Sequence, residues 1–344
     1  MTYPAMVFSG HSVETANQNL VAETIARVEK TAQTKFENGV GRLAFRAMST
    51  HCRVGFHNVL ESTALELQRD ILRWVGDFEA RYSRFIPNSL VSRINEAAGE
   101  KWVKIDPQTE HLLNQCKEFF QMTGGAFDPT VLPLIELWNW KSSPPTIPSQ
   151  SSVDCARELV GWNKIQRRPG EIFLPQKGMR LDLGGIGKEY AVDWVMNMIV
   201  RRKVPNALVD FGQDVRVFGH APGKQHWLIG LEDAHEPGKY WTGVALTNQA
   251  VASSGDYHRN FQINYRRYGH IIDPRSGYPV QNDVRAASII APDCTIAGLL
   301  STSACILGSE EALNLIEKQP GAAGAITTDK ARLYSARFDE FVPA

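Results

Sequence analysis

The chain predicts an α+β fold of mostly antiparallel sheets with packed helices, on two observations. Strand-like runs between residues 207 and 291 succeed one another with only short turns between them, and antiparallel strands can be joined that way whereas parallel ones need a crossover. The 344 residues are 43% apolar and 22% charged, enough to bury one large core or two modest ones, and they carry no fixed-period repeat and no low-complexity tract.

Taken in order, residues 13–38 show a polar-rich helical pattern running to Asn38-Gly39, an extra docking helix or a partly ordered arm. Residues 1–40 thus read as an N-terminal helical extension and 41–344 as the main domain. From Leu43, LAFRAMSTHCRVGFHNVL reads as a strand pair or one long bent strand. ESTALELQRDILRWVGDFEARYS follows with Leu65, Leu72, Val75 and Phe78 at helical spacing, completing a β-then-α unit. Residues 107–122 form a second helix, with Asp106 as its N-cap and Gly124-Gly125 as its stop. The prolines and serines of KSSPPTIPSQSS mark a surface excursion. Beyond it come a short helix at 153–160, a turn at Pro169-Gly170, a glycine loop, and a helix from about 187 to 202. ALVDFGQDVRVFG, HWLIGLED, GVALTNQAVASS, YGHIIDP and RAASIIAP are the strand-like runs. TIAGLLSTSACILGSEEALNLIEKQ is a final helical run before GAITT and LYSARF.

Lys plus Arg (37) balance Asp plus Glu (37), so no global field draws nucleic acid or an anionic membrane, and any anion must be held locally. MTYPAMVFSGHSVETANQNL has no basic leader, and no apolar run of membrane-spanning length follows, so the chain as written is expected in the cytoplasm with no integral membrane segment. Cys52, Cys116, Cys155, Cys294 and Cys305 are odd in number and scattered, which reads as reduced packing residues.

The glycine loop LDLGGIGKEYAVD (181–193) opens a helix whose unpaired N–H groups and dipole favour an anion. Strand, glycine turn and helix is also ordinary architecture, and the spacing matches neither G-x-G-x-x-G nor a P-loop. Four further segments repeat the theme of glycine and acid at a strand or helix end: TGGAFDPTV, VDFGQDVRVFG, ASSGDYHRNF and GHIIDPRSGYP. On local grounds Phe127 is core or pocket, Asp182 caps the helix entry or holds a ligand, and Asp273 makes an Asx-type turn with Pro274 and Gly277.

TGGAFDPTVLPLIELW, LDLGGIGKEYAVD, LVDFGQDV, SGDYHRNF, GHIIDPRSGYP and IIAPDCTIAGLLSTSACILG stand in the order of the signature segments of the FAD:protein FMN transferases, the ApbE family. RYSRFIPNSLVSRIN resembles that family's Ser-rich segment and AMSTHC its opening Met-Gly-Thr, so the resemblance spans roughly residues 43–335. It implies a T-fold-like architecture. It also implies an enzyme that cuts FAD at its pyrophosphate and attaches the FMN phosphate to a Thr or Ser hydroxyl of a partner redox protein, with a divalent cation, usually Mg²⁺. Family members commonly act outside the cytoplasm.

By the same resemblance, Met48 and the Phe85 region pack on the flavin or adenine. Ala126, Phe127, Asp128, Asp182, Gly184, Lys188, Ser254, Gly255, Asp256, Tyr257 and Ile271 line the dinucleotide site, and Arg259 meets phosphate. His270 is the general base or phosphate-orienting group, with Lys188 beside it, its imidazole suited to proton transfer near neutral pH. The metal falls to a main-chain oxygen near Gly185, with Ser301 and Thr302.

Three positions depart from the family pattern. Gly298 stands where a ligating aspartate is usual, Glu189 where glycine follows the lysine, and Ser49 where glycine is usual. Loss of a carboxylate weakens a hard-cation site, so restoring one as Gly298→Asp is expected to raise metal affinity. Glu189 either adds charge near the phosphate path or restores a ligand. A flavin carrier with weakened turnover and an FAD pyrophosphatase are the alternative activities.

Overall fold

The computed structural model describes residues 18–139, 141–255, 260–263 and 266–343. Helix α1 (Gln18–Lys30) precedes a meander of β1 (Gln33–Glu37), β2 (Val40–Ala47) and β3 (Thr50–His57). Helices α2 (Glu61–Tyr82) and α3 (Leu90–Glu96) follow, then β4 (Val103–Lys104), α4 (Pro107–Met122), α5 (Leu132–Trp138) and α6 (Gln150–Glu158). Short strands β5 (Gln166–Arg168) and β6 (Glu171–Phe173) close a small sheet with β4. Helix α7 (Gly187–Arg201) leads into β7 (Asn206–Phe211) and β8 (Asp214–Phe218). A separate hairpin of β9 (Trp227–Glu232) and β10 (Tyr240–Leu246) precedes β11 (Ala250–Gly255). Two small hairpins, β12 (Asn260–Ile263) with β13 (Arg266–Gly269) and β14 (Ile272–Asp273) with β15 (Tyr278–Pro279), come next. The chain closes with β16 (Val284–Ala291), α8 (Cys294–Leu307), α9 (Ser309–Glu317), β17 (Ala323–Thr328) and β18 (Arg332–Tyr334).

Nine strands form one sheet in the order β1-β2-β3-β7-β8-β11-β16-β17-β18, every neighbouring pair antiparallel. Successive side chains point to opposite faces. Val54, Phe56, Ala207, Val209 and Phe211 therefore meet α2 and α7, while Val215, Val217, Val251 and Ile290 meet the β9–β10 hairpin with Phe338 and Phe341. The same alternation turns Asp214 and Arg216 of β8, and Ser254 of β11, toward the helices.

The α+β, antiparallel reading stands, and Asp106 caps α4 by accepting from Thr109 N at 2.8 Å. Two local readings change. The first helix ends at Lys30, and Asn38-Gly39 (φ 50° and 75°) is the turn of the β1–β2 hairpin, which makes β1 the edge of the main sheet. All but one residue of QTKFE are exposed, so the strand carries no apolar alternation to announce it. Helix α1 crosses α2 where a Cβ on Gly76 would lie 2.7 Å from Ile25 Cα, a backbone approach only glycine allows. The final helical run is two helices, broken at Gly308 (φ 90°). Along α2, Ala64, Leu67, Ile71, Val75 and Phe78 face the core, and Leu65 is exposed. No helix among the described residues is long and apolar enough to cross a membrane.

Candidate functional site

At one end of the sheet two hairpin turns lie side by side. Met48-Ser49 (φ 49° and 60°) joins β2 to β3, and Gly212-Gln213 (φ 64° and 74°) joins β7 to β8. Positive φ at both turn residues matches the right-handed strand twist, at a steric cost for the non-glycine positions, Ser49 among them. A Cβ on Gly212 would collide with Thr50 Oγ1 and lie 3.2 Å from Thr50 Cβ, so glycine is what lets the turns pack together. The β7–β8 turn delivers Asp214, 3% exposed, to the helix side of the sheet.

There Asp214 Oδ2 is ion-paired with Lys188 Nζ, and Lys188 Nζ lies 3.5 Å from Glu189 Oε1. A lysine in the first turn of a helix sits against the positive end of the dipole, and the two carboxylates offset that. Glu189 is 7% exposed, and its Oε2 is buried with no hydrogen-bond partner. Its side chain lies over Gly298: a Cβ there would be 3.0 Å from Glu189 Cδ and 3.2 Å from Oε1. From Gly298 the contacts continue, because its carbonyl accepts from Ser301 Oγ at 3.0 Å. Ser254 Oγ is 2.8 Å from Ser301 Oγ and 3.1 Å from Thr302 Oγ1. Cys305 Sγ donates to Ser254 O at 3.5 Å, and Cys305 shares a small cavity with Ile271. Lys188, Ser254, Ile271, Ser301 and Thr302, far apart in sequence, are thus joined by one line of contacts.

Helix α7 is locked onto α8 one turn further along. Asp193, wholly buried, accepts from Arg216 Nη1 at 2.7 Å and Cys294 N at 2.9 Å through Oδ1. Its Oδ2 accepts from Thr295 N at 2.9 Å and Thr295 Oγ1 at 2.5 Å. Glu189 and Asp193 are four residues apart on one face of α7, as are Cys294 and Gly298 on α8, so the Asp193 anchor sets the register that lays Glu189 over Gly298. Asp293 caps α8 by accepting from Ile296 N at 2.9 Å. Burial, and then the neighbouring Asp193 carboxylate, raise the Asp293 pKa to about 6. Burial likewise pushes the Cys294 thiol well up.

The loop before α7 is held by contacts of its own. Asp182 Oδ2 accepts from Arg84 Nε at 2.9 Å and Oδ1 from Gly184 N at 2.8 Å, an Asx turn; the helix's own N-cap, Ile186, makes no side-chain cap. The Arg84 guanidinium lies 4.0 Å over the ring of Phe85, which is 71% exposed. Gly184 and Gly185 are exposed, and a Cβ on Gly185 would lie 3.5 Å from Phe127 Cε2. Ala126 and Phe127 are buried, with Phe127 in the main core and edge-on to Phe119 at 6.1 Å; Met48 packs half-buried against that core. Asp128 has both oxygens engaged: Oδ1 with Thr130 N (2.8 Å) and Thr130 Oγ1 (2.6 Å), Oδ2 with Trp162 N (3.0 Å). Burial raises its pKa.

His270 is half-buried, directly after β13 and before Ile271. Gly255 ends β11, and Asp256, Tyr257 and Arg259 lie outside the described residues. Asp273 accepts from Arg275 N at 2.9 Å, the expected Asx turn. Among the described residues no three His, Cys, Asp or Glu side chains gather as a ready metal cage. A divalent cation here would rely on carboxylate, hydroxyl and main-chain oxygen together, and the orphaned Glu189 Oε2 fits that demand. Asp214, Asp193, Arg216 and Arg84 were not singled out from the sequence. Asp193, a lone acid within the apolar run YAVDWVM, carried the clearest signal of the four.

The ApbE family model matches residues 48–327. An FAD:protein FMN transferase of Treponema pallidum is 30% identical over 279 residues, which cover 73% of this chain and 77% of that protein. One from Haemophilus influenzae is 27% identical over 307 residues, covering 86% and 88%. A crystal structure of an ApbE protein from Thermotoga maritima superposes with a TM-score of 0.80 at 29% identity, covering 91% of this chain and all of that one.

Proposed function

This chain belongs to the ApbE family, and from that premise we propose that it is an FAD:protein FMN transferase. FAD is its substrate and a protein is its acceptor. A hydroxyl oxygen of an acceptor Thr or Ser attacks the FMN-side phosphorus of the pyrophosphate, the bridging P–O bond breaks, and AMP leaves with that bond's electrons. The hydroxyl proton goes to a base, for which His270 has the suitable side chain.

The observation that carries the proposal is the line of contacts from Lys188 and Asp214 through Glu189 and Gly298 to Ser254, Ser301 and Thr302. Its cation, carboxylates and hydroxyls, with the exposed Gly184-Gly185 backbone that leads into α7, are a combination suited to a diphosphate that changes charge as it is cut. Lys188 faces the phosphates, and the Arg84–Phe85 pair offers a planar surface for a ring. Mg²⁺, held by Glu189 with Thr302 and neighbouring oxygens, would neutralise pyrophosphate charge. Asp128 and Phe127 support the pocket from behind.

Incubation with FAD, Mg²⁺ and a domain bearing an acceptor threonine tests this. A fluorescent covalent band with equimolar AMP is expected. AMP without the band would mean hydrolysis, and tight FAD binding with neither would mean a carrier; either result overturns the proposal.

A further inference from the structure

We infer that Glu189 of α7, seated over Gly298 of α8, is the divalent-cation ligand beside Ser301 and Thr302. This deepens the reading above and rests on it.

Three observations converge. Glu189 is 93% buried by residue area, being 7% exposed, and its Oε2 has no hydrogen-bond partner. A buried carboxylate oxygen without a donor is costly, and a hard cation is the partner that removes the cost. The second is steric: any side chain at 298 would strike Glu189, with a Cβ 3.0 Å from Cδ and 3.2 Å from Oε1. A side chain at 298 would therefore have to displace the Glu189 side chain. Third, Gly298 O and the hydroxyls of Ser301, Thr302 and Ser254 lie next along the contact line, giving the neutral oxygens a hard cation needs. Lys188 does not account for Glu189 by itself. Its ammonium pairs with Asp214 and lies 3.5 Å from Oε1, while Oε2 has no hydrogen-bond partner.

This reverses the expectation that Gly298→Asp strengthens the site. The new side chain would have to displace Glu189, the ligand already there.

The test is Mn²⁺ binding to the full chain, read from the free-ion EPR signal with and without FAD, and the shift of melting temperature by Mn²⁺. Glu189→Gln keeps the packing and removes the charge. It is expected to weaken Mn²⁺ at least tenfold and abolish the metal-induced shift, while leaving the melting temperature without metal the same or higher. Gly298→Asp alone should lower that temperature and add no affinity, and Glu189→Gly/Gly298→Asp should restore Mn²⁺ binding to within about threefold of the parent. Unchanged Mn²⁺ affinity in Glu189→Gln, or tighter binding in Gly298→Asp alone, overturns the inference. If the parent transfers FMN yet Glu189→Gln binds Mn²⁺ normally, only this inference fails. If the parent transfers nothing yet the swap behaves as described, only the function does.

Discussion

Glu189 on α7 fills the space above Gly298 on α8, where a Cβ would sit 3.0 Å from the glutamate Cδ. Replacing a helical glycine by alanine ordinarily gains up to about 1 kcal/mol, whereas overpacking a buried contact costs about 1–3 kcal/mol. Gly298→Ala should therefore lower stability. In a Glu189→Ala background the same substitution should raise it, because the obstruction is gone. Thermal denaturation of the four proteins decides, and the same sign in both backgrounds would refute the contact.

Lys188→Met would strand Asp214, 3% exposed, without its cation. Breaking one side of a buried pair costs about 3 kcal/mol, and removing both charges costs much less. Denaturant titration should show a large loss in Lys188→Met, recovered mostly in Lys188→Met/Asp214→Asn. FMN transfer should stay absent in both, since the recovered protein still lacks a charge facing phosphate.

Asp293→Asn should change the pH dependence of stability. The folded protein holds the Asp293 proton up to about pH 6, against an ordinary value of 3.8, because burial and Asp193 disfavour its charge. Between those limits the folded state binds more protons than the unfolded one, so this group's contribution is present below about pH 4 and lost by about pH 6. Asparagine keeps the helix cap and has no such loss. The variant's stability relative to the parent should thus rise across that window, by on the order of 2 kcal/mol. A flat difference between pH 4 and 6 would contradict the burial seen at Asp293.

His270→Ala should reduce FMN transfer by about 100-fold, the lower range for loss of a general base, with FAD affinity nearly unchanged. Equal losses in rate and affinity would assign His270 to binding.

Asp128→Ala removes the acceptors of Thr130 N, Thr130 Oγ1 and Trp162 N. Leaving buried donors unmet costs about 1–3 kcal/mol. The melting temperature should fall, while the fraction that remains folded binds FAD as the parent does. Loss of FAD binding at full stability would place the carboxylate against the ligand instead.

Periodicity and capping by themselves determined much of this protein. The α4 helix with its Asp106 cap, the α7 start at Gly187 and the antiparallel sheet follow from side-chain period and turn chemistry, which are local. The ordered motifs also carried the family, because each keeps its glycines and acids at fixed offsets. Only the tertiary structure decided what those residues do to one another. Edge strand β1 was unreadable since its residues are exposed and its pairing with β2 is what makes it a strand. Gly298 read alone is a missing ligand, and Glu189 read alone is an extra charge. They become one feature because Asp193, four residues along α7, clamps the start of α8 and so fixes which side chain faces which gap. Contacts between residues a hundred positions apart are set by helix packing, and no local pattern encodes their distance.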